Sequence, residues 1–343
     1  MRYDQAKAGP IEELVAPPYD VLGPEERARY LAENSHNVVH LTLPDDEERA
    51  AGLWRDWLAE GILVRDDEPA LWWLEQDYVG PDGVARTRGG LVCALHVEPY
   101  SARVVLPHEL THAGPKEGRM RLLRALRAQV EPLFFLYEGT LEGPGGPPEV
   151  EVELEGVRNR LWRVEGEPPA ELAGAQLLIA DGHHRYETTL AFHEQDGTEE
   201  SAWLLAVIVP TEQAGLTIFP THRLADDVDM AGTETGDEPP LELLARGTGP
   251  VLYIRGESRV LRSNGSKLDV SAVEPLIRNT VGYTPQAAEA VERVDSGEAG
   301  AALLLRAPTI EQIREVVERG ETLPQKSTYF YPKLPSGLLF LPL

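Results

Sequence analysis

The sequence predicts an α+β protein built around a mixed sheet, on three observations. Apolar runs of strand length and longer amphipathic stretches of helix length are interspersed along one chain of 343 residues. Strands are joined both by a hairpin, around Gly80-Pro81-Asp82-Gly83, and by strand–helix–strand crossovers, which argues against a regular doubly wound sheet. The apolar fraction, 42%, supports a real core and is too high for a disordered chain.

Each element follows from local chemistry. Val15 to Val21 contains Pro17-Pro18 and must be extended, because proline restricts itself and the residue before it. Pro24 then opens a short helix. Asn37 to Leu43 alternates as a strand, and Asp45 to Glu60 reads as a helix stopped by Gly61. Leu71 to Val79 and Ala85 to Val97 form the hairpin. Pro107 to Pro115 is a loop, Lys116 to Val130 a helix and Leu133 to Tyr137 an apolar strand. Gln176 to Ala180 is a strand followed by a helix from about His184 to Glu194, and Ala202 to Val209 is a fully apolar, buried strand. Strands near Val251 to Ile254 and Ala301 to Leu305, with helices near Ala287 to Val294 and Ile310 to Arg319, complete the chain. Ala231 to Pro240 is acidic, rich in Gly and Thr, and reads as structureless. It therefore divides a main domain, 1–230, from a smaller α/β region, 241–343, whose last strand can return to the core.

The net charge of −25 disfavours nucleic acid and anionic membrane as partners, so any anion must be held in a local basic pocket. The single cysteine, Cys93, lies in an apolar run and reads as a buried small hydrophobe. The N-terminal residues carry no apolar signal core, and no run is long enough to span a bilayer. A cytoplasmic protein is expected, and the oligomeric state is not legible.

The most informative segment is Leu177-Leu178-Ile179-Ala180-Asp181-Gly182-His183-His184-Arg185-Tyr186. A strand ends in Asp-Gly, and three potentially cationic side chains open a helix. Helix N-termini favour anions, Gly182 permits close backbone approach, and Arg185 offers a donor fork for phosphate. These features point to a phosphate or nucleotide site formed by Gly182, His183, His184 and Arg185. Asp181 either holds Mg²⁺ or merely caps the helix.

A second constellation is Pro107-His108-Glu109-Leu110-Thr111-His112, followed by Lys116, Arg119, Arg121, Arg124 and Arg127. Arg119 falls on the apolar stripe of Leu122, Leu123, Leu126 and Val130, so it needs a carboxylate or a bound anion. Arg121 and Arg124 fall on the opposite, solvated side. Glu109 and His108 are candidates for acid–base work, or Glu109 is a structural partner of Arg119. Asp20, after Pro18-Tyr19, is either a pocket carboxylate or a turn cap. His222-Arg223 can add donors to a phosphate, and Lys326 to Lys333 mixes cations, hydroxyls and aromatics that line a site or form an edge strand.

The blocks Ala16 to Val21, His108 to Thr111, Asp181 to Tyr186, Pro220 to Arg223 and Lys326 to Lys333 resemble the bacterial and archaeal domain-of-unknown-function family 1015 over nearly the whole chain. The Asp181 to Arg185 block also resembles the phosphate motif of the ParB/sulfiredoxin superfamily, which includes a free-serine kinase that uses ADP. That resemblance implies a ParB/sulfiredoxin-like core, a nucleotide phosphate at His183, His184 and Arg185, and Mg²⁺ near Asp181. Gly182 and His183 stand where sulfiredoxin carries its cysteine, so peroxiredoxin repair is not expected, and ParB's DNA-binding helices are not evident.

The expected function is a Mg²⁺-dependent phosphotransferase acting on a small hydroxyl metabolite such as serine. ATP or ADP, or another nucleotide, would be the donor. Lys116, Arg119, His222, Arg223 and Lys326 would act as further phosphate clamps, and Glu109 or Asp20 as base. The alternatives are a nucleotide-binding switch without turnover and a phosphoester hydrolase.

Overall fold

The computed structural model describes all residues except 112 and 263–267, and the backbone alone at 113–115; His112 thus lies outside the described residues. The chain divides into two units. The first comprises 1–106, 111–216 and 332–343, and the second 107–110 and 217–331.

The first unit carries an eight-stranded mixed sheet. Its strands are β1 (Leu71–Val79), β2 (Ala85–His96), β3 (Val105–Leu106), β4 (Leu133–Tyr137), β5 (Val150–Leu154), β6 (Val157–Val164), β7 (Leu177–Asp181) and β8 (Trp203–Pro210). Their order across the sheet is β3-β7-β4-β8-β2-β1-β6-β5. The pairs β7–β3 and β8–β4 are parallel and the rest antiparallel, which confirms the mixed α+β class. β4 and β8 sit mid-sheet and are buried on both faces, which is why they are continuous apolar runs. Leu133, Phe135, Ile179, Leu204 and Ile208 pack with Tyr186 into one core.

Helices α1 (Pro24–Glu33), α2 (Val39–Thr42), α3 (Glu47–Ala59), α4 (Ala113–Leu126) and α5 (His183–Asp196) belong to this unit. α4 packs against both α3 and α5. Asn37–Leu43, expected as a strand, instead contains the short helix Val39–Thr42. The Asn37 Oδ1 accepts from Val39 N at 2.9 Å, and its Nδ2 donates to the carbonyls of Glu13 and Val15. Val38, Val39 and Leu41 are all fully buried, so no alternating face exists. α4 also ends earlier than expected, because Arg127 takes a left-handed conformation at φ 48°. Ala128–Gln129 then pairs with Leu341–Pro342 near the end of the chain, in the same unit.

The second unit holds a six-stranded antiparallel sheet. Its strands are β9 (His222–Ala225), β10 (Thr233–Thr235), β11 (Val251–Ile254), β12 (Glu257–Leu261), β13 (Thr280–Thr284) and β14 (Ala301–Leu304), in the order β10-β12-β11-β14-β9-β13. Leu224, Val251, Ala290, Val294 and Leu304 form its core. Ala231–Pro240, expected as a structureless boundary, lies inside this unit. Its Thr233–Thr235 pairs with Arg259–Leu261 as an edge strand, where polar Thr and Glu suit a solvated position.

Candidate functional site

β7 places the motif at its end, and a bulge aims it. Ile179 pairs with Phe135 and Asp181 with Phe134, so Ala180 is an extra residue in the ladder. Regular alternation would put Asp181 on the same face as Ile179, in the apolar core. The extra residue turns it to the face of Phe134 instead. Gly182 follows at φ 101°, a conformation that L side chains rarely adopt. A Cβ there would stand 3.0 Å from Leu133 Cγ and 3.2 Å from Arg185 Nη2. α5 begins at His183, with Gly182 as its N-cap and no side-chain capping bond, so Asp181 is not the helix cap.

Asp181 lies between two cations. Its Oδ1 faces Lys333 Nζ at 2.8 Å and its Oδ2 accepts from Arg185 Nη2 at 3.2 Å. Burial pushes the Asp181 carboxyl up, but Lys333 and Arg185 more than reverse this and hold it well below the usual carboxylate range. Arg185 is buried and also donates from Nη1 to the Pro132 carbonyl at 2.7 Å. Burial works against its charge, yet Glu131, Asp181, Tyr19 and Asp20 together raise its pKa. His183 is buried beside Asp181 and His184 half-buried.

The donor set at Asp181 does not fit direct Mg²⁺ ligation while Lys333 is in place. Both carboxylate oxygens already face cations, and among the described residues no group of three or more His, Cys, Asp or Glu could hold a metal ion.

The rest of the first unit's site is a set of satisfied pairs around one exposed carboxylate. Arg119 does not pair with Glu109. It donates to Glu131 Oε2 at 3.3 Å and to the Thr42 carbonyl at 2.9 Å, with its guanidinium 3.8 Å from the Tyr19 ring centroid. Glu131 also accepts from Tyr19 N and Ser336 Oγ. A cavity of about 40 Å³ beside Arg119, Glu131 and Arg185 has room for a few waters, not for a nucleotide. Lys116 pairs with Glu187, which also accepts from Thr111 Oγ1 at 2.8 Å. Arg121 and Arg127 pair with the carboxylates of Glu47 and Asp196, while Arg124 donates to the uncharged amide oxygen of Gln195. Asp20 is exposed and lies within electrostatic reach of Arg185.

The other expected site residues belong to the second unit and work there as a clamp. Glu109 Oε1 accepts from Ser327 N, Thr328 N and Thr328 Oγ1 at 3.0, 3.0 and 2.9 Å, and its Oε2 accepts from Lys326 N at 3.1 Å. Lys326 is left-handed at φ 55°, which lets successive amides converge on one carboxylate as an anion nest. Because the Thr328 hydroxyl gives its proton to Glu109, His108 Nε2, 2.9 Å away, is the donor to Thr328. Arg223 holds the same loop from the opposite polarity. It donates to the carbonyls of Thr221, Gln325 and Lys326. His222 Nδ1 accepts from Leu305 N, and burial, with Arg223 adjacent, pulls its pKa down to about 4.

Two participants, Glu131 and Glu187, carry no sequence signal for their partners Arg119 and Lys116. Lys333 stands out in the sequence only as the end of the segment Lys326 to Lys333, as a residue that lines a site or sits on an edge strand, and nothing there foretells its partner Asp181.

The fold and this strand–glycine–helix turn define an α+β protein whose motif carries a half-buried Asp–Lys–Arg cluster. The chain belongs to the family described as "Protein of unknown function (DUF1015)", whose model matches residues 1–237; Lys326 to Lys333 lies beyond that match. Among solved structures, a free serine kinase in complex with AMP is 17% identical with a TM-score of 0.43, covering 72% of this chain and 92% of its own. A conserved hypothetical protein from Pyrococcus furiosus is 17% identical with a TM-score of 0.43, covering 71% and 93%. SbnI with a C-terminal truncation, from Staphylococcus aureus, is 12% identical with a TM-score of 0.44, covering 74% and 87%. No curated protein matches the chain. Among the described residues no helix is long and apolar enough to cross a membrane.

Proposed function

We propose that the chain is a cytoplasmic, Mg²⁺-dependent phosphotransferase that binds ATP or ADP at Gly182 to Arg185 and phosphorylates a small hydroxyl metabolite of the serine type. The observation that carries this reading is the cationic cluster of Arg185 and Lys333 around Asp181, with the exposed carboxylate of Asp20 within electrostatic reach of Arg185. Phosphoryl transfer asks chiefly for charge neutralisation and positioning, and this cluster supplies both. In this reading Lys333 turns from Asp181 to an incoming phosphate, while the uncapped N-terminus of α5 and the two histidines receive its other oxygens. Arg185 keeps the turn in shape. Any Mg²⁺ would enter with the nucleotide, since both Asp181 oxygens already face cations.

Asp20, not Glu109, is the base, because the Glu109 oxygens are spent on the Lys326 to Thr328 amides. Asp20 takes the proton of the acceptor hydroxyl as its oxygen bonds to phosphorus. The bond from phosphorus to the bridging oxygen then breaks, and its electron pair leaves with the nucleotide.

The test combines thermal stabilisation by ADP and ATP, with and without Mg²⁺, and product analysis by phosphorus NMR with serine. A ligand that binds only the folded state stabilises by RT ln(1 + [L]/Kd). Asp20→Asn should keep the nucleotide shift and lose at least about a hundredfold in turnover. No shift with any nucleotide sinks the proposal. A shift without product, in the wild type, leaves a nucleotide-binding switch. Release of inorganic phosphate without an acceptor product identifies a hydrolase.

A further inference from the structure

Arg88 is a charge buried in mid-sheet. It lies on β2, 1% exposed, opposite Gln76 of β1. Its guanidinium donates to Gln76 Oε1 and to the Pro332 carbonyl at 2.7 Å, and stands 4.5 Å from the Phe134 ring centroid. Gln76 Nε2 in turn donates to the Lys333 carbonyl at 3.2 Å and to Asn159 Oδ1 of β6 at 2.9 Å. Asn159 is itself fixed by donating to the Val157 carbonyl at 3.0 Å. All of these residues belong to the first unit.

Two successive carbonyls, Pro332 and Lys333, are therefore gripped by one buried polar chain that runs from β6 through β1 to β2. The segment it grips is the one that delivers Lys333 Nζ to Asp181. A buried polar group of this kind is weak evidence for a stabilising role, since replacing a whole buried charged network by apolar residues is often neutral. What an apolar residue cannot do is fix the direction of a carbonyl. Burial pulls Arg88 down to about 10, with Tyr78 and Asp181 opposing, so it keeps its charge at neutral pH.

We infer that Arg88, Gln76 and Asn159 are positioning residues that set Lys333 against Asp181, and so preload the lysine that faces the motif. The inference rests on the phosphate role given to Lys333 above, but its geometry can be tested separately.

The readout is the rate of acetylation of Lys333 by acetic anhydride, followed by mass spectrometry, with the exposed Lys7 as internal standard. Held against Asp181 with its side chain 16% exposed, Lys333 is shielded. Arg88→Met should raise its labelling roughly tenfold relative to Lys7, the factor expected for one lost charge-assisted hydrogen bond. Gln76→Met keeps the arginine and should raise it as well, which covers the case in which Arg88→Met does not fold. Arg88→Lys, with a single donor site, should fall between. Lys333 rates equal to wild type in folded Arg88→Met and Gln76→Met overturn the inference. ADP provides the separate arm. It should slow labelling of Lys333 in the wild type and bind more weakly to both variants by a similar factor. If ADP leaves wild-type labelling unchanged, the phosphate role falls, while the labelling of the variants still decides the positioning role.

Discussion

Replacing Glu109 by glutamine separates a structural carboxylate from a chemical one. The side chain is 15% exposed; its Oε1 accepts from Ser327 N, Thr328 N and Thr328 Oγ1, and its Oε2 from Lys326 N. Glutamine keeps one oxygen, so the three bonds at Oε1 survive in weakened form. Its amide nitrogen must then face the Lys326 N–H, donor against donor. One hydrogen bond to a charged acceptor is worth about 1.5–3 kcal/mol, so Glu109→Gln should cost about 2 kcal/mol of local stability. The loss should appear first as faster hydrogen exchange of the Lys326, Ser327 and Thr328 amides. About 2 kcal/mol corresponds to roughly thirtyfold when exchange follows local opening. The assay is exchange read by mass spectrometry on the segment from Gln325 to Phe330, with α5 peptides of the first unit as reference. Unchanged exchange at these amides, together with abolished turnover, would refute the clamp and restore Glu109 as the general base.

Two further outcomes follow from backbone geometry and titration. His222 is neutral when folded down to about pH 4, whereas the unfolded chain takes up a proton near 6.5. Stability from this group is therefore intact above 6.5 and falls as pH drops from 6.5 to 4, by about 3 kcal/mol at most. His222→Gln should flatten that part of the pH dependence in urea unfolding, and an unaltered slope would contradict the assignment. Gly182→Ala forces a side chain into a left-handed turn, with Leu133 and Arg185 at 3.0 and 3.2 Å from its Cβ. It should lower the unfolding free energy by about 1–3 kcal/mol and abolish any nucleotide shift, as read by calorimetry with and without ADP.

Much of the sheet was legible because its signals are local. β4, β7 and β8 are apolar runs between breakers, and the β1–β2 hairpin announces itself through Gly80 to Gly83. Asn37–Leu43 misled because a helix of four residues is too short to show its period, and its apolar residues are buried on every side. At the site, Asp181 to Arg185 were visible because the chain places them together. Lys326 to Lys333 stood out as a stretch that lines a site or forms an edge, but the pairing of Lys333 with Asp181 did not, since 152 residues separate them and an extended Tyr-Pro-Lys carries no mark of its partner. Glu109, in a loop, and Arg223, beside a histidine after Pro220-Thr221, looked like chemistry because a charged residue with no evident partner advertises a ligand. Here the ligand is the protein's own backbone, and no side-chain pattern encodes that.

The bulge at Ala180 makes the motif a matter of parity. Along a strand the two faces alternate, so the face that receives the last carboxylate depends only on whether the residue count before it is odd or even. Leu177 to Asp181 spends one residue outside that count. The spelling Asp-Gly-His-His-Arg thus delivers its charge to Lys333 only in company with one unpaired residue upstream. A chain with the same letters and an unbroken ladder would turn the same aspartate into the packed interior, where it would have no cation to meet.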